Sequence, residues 1–86
     1  MRDNMNFVKS TIDDWDPIDL FPHAPSDEYH SEIEKIQRLL VATEDLDKLT
    51  EGIYEIFVES FGRETFNKSK EECKRIARIL LRKSMD

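Results

Sequence analysis

Cysteine, glycine and proline are scarce in this chain of 86 residues: one, two and three of each. The lone Cys73 has no second thiol with which to close an internal disulfide. Neither it nor His23 and His30 falls into the Cys/His spacing of a structural zinc site. With only Gly52 and Gly62, there is no glycine-rich turn to cradle a phosphate, and no nucleophile elbow is present. No run approaches the roughly 20 apolar residues that cross a bilayer. No apolar signal-peptide region follows Met1 to Asn4, so a cytoplasmic protein without membrane association is expected. Few valines and threonines argue against strands. What remains is 38% apolar and 37% charged, the composition of one small domain over residues 1–86, and it favours helix.

All three prolines lie in Trp15-Asp16-Pro17-Ile18-Asp19-Leu20-Phe21-Pro22-His23-Ala24-Pro25. Proline fixes its own φ, lacks an N–H and disfavours helix at the residue before it, so continuous helix is excluded here. Ile18, Leu20 and Phe21 are too apolar for a merely solvated linker, and a rigid loop folded onto the helices is expected.

Around that loop, apolar residues recur at helical spacing. Met5, Val8, Ile12 and Trp15 form one face of a first helix. A second runs from about 27 to 42, with Ser26 as its capping residue, Asp27 and Glu28 in its first turn, and a stripe of Tyr29, Ile33, Ile36, Leu39 and Leu40. Capping oxygens at Thr43, Glu44 and Asp45 open a third helix that carries Leu46 to Phe61 and ends at Gly62. Ser69 with Glu72 three residues on fits the capping-box pattern for a fourth, with Cys73, Ile76, Ala77, Leu80 and Leu81 on one face. The fold class is therefore all-α: a small four-helix bundle or irregular helical array with a proline-rich loop between helices 1 and 2. The apolar arc of the third helix is about 200° wide, where a one-sided helix needs little more than 100°. It is expected either to sit at the centre of the other elements or to form a homodimer interface.

Charge is divided along the chain. Residues 1–62 carry five Lys/Arg against fifteen Asp/Glu, and residues 63–86 carry eight against four. Lys74, Arg75, Arg78 and Arg82 share the face of the fourth helix opposite its apolar stripe. That face is a phosphate-binding candidate, a solvated face with Glu71 and Arg75 as an i,i+4 pair, or a surface for an acidic partner. The net charge of −6 repels a polyanion and no aromatic interleaves with the cations, so nucleic acid is not the expected partner. Asp14, Asp16, His23 and Asp27 make metal binding or metal-dependent hydrolysis the alternative of another class. Their spacing matches neither an EF-hand nor a di-metal bundle, so neither a metal nor a cofactor is assigned. Cys73, on the apolar stripe of its helix, reads as an inert buried thiol.

The segments Trp15-Asp16-Pro17-Ile18, Asp27-Glu28-Tyr29, Glu32-Ile33 and Ile53-Tyr54-Glu55-Ile56-Phe57 resemble the YugE-like family. These are small bacterial proteins, chiefly from Bacillus relatives, grouped as a domain of unknown function. The resemblance implies a compact helical domain and supplies no activity or catalytic residue. The functional expectation is a non-enzymatic protein-binding or regulatory module. Its candidate contact residues are Trp15, Asp16, Ile18, Asp19, Phe21 and His23 around the loop, with Arg75 and Arg78 on the fourth helix.

Overall fold

The computed structural model describes residues 6–18 and 29–84. Four helices account for most of them: α1 (Asn6–Trp15), α2 (His30–Ala42), α3 (Leu46–Phe61) and α4 (Lys70–Ser84). No strand occurs among the described residues. The all-α expectation is met, and each helix end has a local cause.

α1 stops at Trp15 because Pro17 follows. Asp16, the residue before it, takes a left-handed φ of 46°, a conformation that costs a β-carbon-bearing residue about 1 kcal/mol or more and that Asp tolerates better than most. Its N–H still donates to Ile12 O at 2.9 Å, so the last turn closes. Pro17 is fully buried, and half-buried Ile18 packs against the core. The rest of the proline segment, with Leu20, Phe21, Pro22 and Pro25, lies outside the described residues, as do Met5, Ser26, Asp27 and Glu28.

α2 begins at His30 rather than at about 27. Tyr29 occupies the N-cap position without a side-chain cap, at φ −96° and ψ 16°. Its ring is buried and its hydroxyl is committed to the corner after α1, so a tertiary contact orients this residue. α3 starts where the capping pattern places it. Asp45 Oδ1 accepts from the N–H of Asp47 at 2.9 Å and of Lys48 at 3.2 Å, and Thr43 Oγ1 accepts from Asp45 N at 3.1 Å. The helix ends at Gly62, whose φ of 83° and ψ of 157° lie in a region almost confined to glycine. At α4, Ser69 Oγ accepts from Glu72 N at 3.2 Å. The reciprocal half of the capping box is not made, because the Glu72 carboxylate is bound elsewhere.

Each helix packs on its neighbours in sequence, and α4 closes the ring on α1. α3 therefore does not sit in the middle of three helices. It lies mainly between α2 and α4, and α1 reaches it through Trp15, whose ring meets Phe57 edge-on at 5.7 Å. The connection after α3 also covers it, with Phe66 stacked on Phe57 at 5.2 Å. Phe57, with no exposed surface, touches the rings of Trp15, Tyr29, Phe61 and Phe66. Burial of such a ring contributes on the order of 2 to 3 kcal/mol before its aromatic contacts are counted. α2 and α3 approach closely at Gly52, where an added Cβ would run into Leu39 Cδ2.

Gly62 has open space around its α-carbon, so replacing it tests backbone strain alone. Gly62→Ala is expected to lower stability by about 1 to 3 kcal/mol in urea unfolding, with an unchanged m-value.

Candidate functional site

The corner after α1 is held by one hydroxyl. Tyr29 Oη donates to Asp16 Oδ1 at 2.6 Å and accepts from Ile18 N at 3.3 Å. It thus joins both residues that flank Pro17 to the start of α2. With its ring at 0% exposure, these bonds form largely out of water, where a hydrogen bond to a carboxylate contributes about 1.5 to 3 kcal/mol. Two of the candidate contact residues, Asp16 and Ile18, are brought together here. Their described contacts serve the corner itself.

Trp15, at the last position of α1, points the other way, toward α4. Its ring is set edge-on against Phe57 and Phe66, the latter at 6.0 Å and 89°. Its indole Nε1–H donates to Glu72 Oε2 at 2.7 Å. Arg75 Nη2 lies 4.0 Å from the same oxygen. The expected Glu71–Arg75 pair is replaced by this i,i+3 contact, because the Trp15 N–H holds the Glu72 carboxylate within reach of Arg75. Trp15 and Arg75 therefore belong to one surface, with Glu72 between them.

That surface is a groove of about 390 Å³ between α1 and α4. From α1 come Thr11, Asp14 and Trp15, at i, i+3 and i+4. From α4 come buried Ile76 and half-buried Ile79, which supply apolar lining, and the exposed Arg75 and Lys83. Thr11 is 8% exposed and its Oγ1 has no hydrogen-bond partner. The contrast with Thr50 is informative: that buried threonine turns its hydroxyl back to Leu46 O at 2.8 Å, the usual relief within a helix. A buried hydroxyl left unsatisfied costs about 1 to 3 kcal/mol, and Thr11 carries that cost at the groove.

Of the other candidate residues, Arg78 is exposed on α4 and does not line the groove. Asp19, Phe21 and His23 lie outside the described residues. Among the proposed metal ligands, Asp14 lines the groove, Asp16 is bound by Tyr29, and His23 and Asp27 are again outside. Among the described residues no three His, Cys, Asp or Glu side chains are grouped to hold an ion.

Cys73 is buried on the inner face of α4. Burial first, then the neighbouring carboxylates of Glu72 and Glu51, push its thiol from an ordinary value of 9.0 up to about 11. Thr11, Ile79 and Lys83 were not singled out by the sequence pattern. Ile79 and Lys83 had a signal, an apolar residue three positions from Ile76 with a cation one turn on. Thr11 had none beyond its place beside Ile12.

A family model, Domain of unknown function (DUF1871), matches residues 7–84. No curated protein and no solved structure matches the chain.

Two outcomes test this geometry. Tyr29→Phe keeps the ring and removes both bonds of the corner, and is expected to cost about 2 kcal/mol of stability by chemical denaturation. Folding holds the Cys73 thiol protonated, so its contribution to stability is full below pH 9.0 and is lost as the pH rises through about 11. Native protein at pH 8 is accordingly expected to react with a thiol-labelling disulfide reagent only at its rate of opening, and urea-unfolded protein at once.

Proposed function

The chain belongs to the DUF1871 family, a domain of unknown function, and we propose that it is a small helical protein-binding module whose docking surface is the α1/α4 groove. Its partner is a segment of another protein with one large apolar side chain flanked by carboxylates. The observation that carries this reading is the α1/α4 groove itself, where Ile76 and Ile79 lie beside the cations of Arg75 and Lys83. An apolar side chain would cover the two isoleucines.

Charge favours an acidic segment. Within the groove lining, Arg75 and Lys83 balance Asp14 and Glu72, with Glu72 held by Trp15 and Arg75. The exposed side of α4 tips that balance toward positive charge with Arg78 and Arg82. Both walls are helices held by the core, so little ordering entropy opposes binding, and sites on such elements are better preorganised than loops.

The test is a selection of displayed random peptides on the folded protein, repeated on the Arg75→Glu/Lys83→Glu variant. Selected peptides are expected to share an aromatic or leucine side chain flanked by Asp or Glu, to change the emission of the single tryptophan, and to bind the variant at least about tenfold more weakly. Peptides that bind the variant equally well, or that leave Trp15 emission unchanged, would overturn the reading.

A further inference from the structure

On the side of the ring opposite the α1/α4 groove, α2 and α3 enclose a second one of about 400 Å³. Its floor is apolar, made of Leu39 and Ala42 from α2 and Gly52 and Ile56 from α3. One wall carries Lys35 and Arg38, the other Glu55 and Glu59. Both helices therefore present the same i, i+3, i+4, i+7 row, 35-38-39-42 against 52-55-56-59, with cations on one and carboxylates on the other. All four charged residues are exposed. None of them forms an ion pair with a described residue.

A groove with one basic and one acidic wall is complementary to itself. We propose that this face is where two copies of the chain associate, related by a two-fold axis that runs along the groove. That operation keeps each residue at its height along the helices and exchanges left for right. α2 of one copy then lies over α3 of the other, antiparallel to it, as in an antiparallel four-helix arrangement. Lys35 and Arg38 of each copy face Glu55 and Glu59 of its partner, and Leu39 and Ile56 meet across the axis. A two-fold axis perpendicular to the helices, in the plane of the face, would instead set cation on cation and carboxylate on carboxylate. Charge selects the first axis over the second.

The face is small. Two helices about 20 Å long and 8 to 10 Å apart offer less than the roughly 800 Å² per partner of a standard interface. Weak, reversible association that salt diminishes is expected. It also adds cover to the wide apolar arc of α3, where Ile56 is only partly buried within one copy.

The test is sedimentation velocity of the full chain from about 10 µM to 1 mM. It compares the wild type with two charge-reversed variants, Lys35→Glu/Arg38→Glu and Glu55→Lys/Glu59→Lys, alone and mixed, each checked for folding by thermal melting. The wild type is expected to form dimers. The first variant has two acidic walls and the second two basic ones, so each alone should associate at least about tenfold more weakly. Their equimolar mixture restores opposite walls at both contacts and should restore the dimer. A wild type that stays monomeric at 1 mM, variants that associate as it does, or a mixture that stays monomeric would overturn the proposal. Because the α1/α4 groove is on the other side, Arg75→Glu/Lys83→Glu should dimerise as the wild type does.

Discussion

Pro17 cannot donate a backbone hydrogen bond and turns the residue before it away from right-handed helix, and much of the described structure follows from that constraint. α1 has to stop at Trp15, and the chain has to reverse at Asp16 in a left-handed conformation usually left to glycine. The strain is of order 1 kcal/mol, and the hydrogen bonds of the Tyr29 hydroxyl to either side of Pro17 outweigh it. Once Tyr29 is committed to the corner, α2 starts where its ring allows. Once α1 ends at Trp15, the indole lies over Phe57 and Phe66 with its N–H turned to α4. Glu72 supplies the acceptor, and the capping box of α4 is left half made.

The ring order of the helices separates the two surfaces. α1/α4 and α2/α3 lie on opposite sides of the bundle, so a dimer joined through α2/α3 carries its two α1/α4 grooves outward. Two weak docking events by a partner with two acidic segments then become one stronger one. The second binding is intramolecular, at an effective concentration set by the spacing of the grooves. A small module with weak contacts can act as a clamp in this way without a large interface.

Local chemistry made most of the fold legible in the sequence. The Asp45 cap, the Gly62 terminus, the Ser69 cap and the buried stripe of α4 all depend on residues within a turn or two of one another. What escaped is long-range. Glu72 satisfies a capping-box spacing, but a tryptophan 57 residues away in sequence competes for it and wins. α2 starts later than its local pattern indicates because Tyr29 answers to Asp16 rather than to its own helix. Two of the eight candidate contact residues, Trp15 and Arg75, belong to one groove, yet Thr11 carried no pattern, since an unsatisfied hydroxyl is a property of surroundings. The opposed walls of α2 and α3 likewise exist only once the Leu39–Gly52 approach has set the helices side by side. For α3, the broad apolar arc was a correct signal of unusual cover. Phe66, from the connection after the helix, provides much of it.

The Trp15 indole locks the end of α1 to α4. The chain has a single tryptophan, so its one indole N–H resonance can be followed by hydrogen exchange in NMR without ambiguity, in the wild type and in Glu72→Gln. In the wild type the indole proton is expected to be shifted from its position in the urea-unfolded chain and protected from exchange. The weaker neutral acceptor should move it back and reduce its protection. An indole proton that exchanges as fast in the native protein as in the unfolded chain, or that ignores Glu72→Gln, would contradict the lock and the groove built on it.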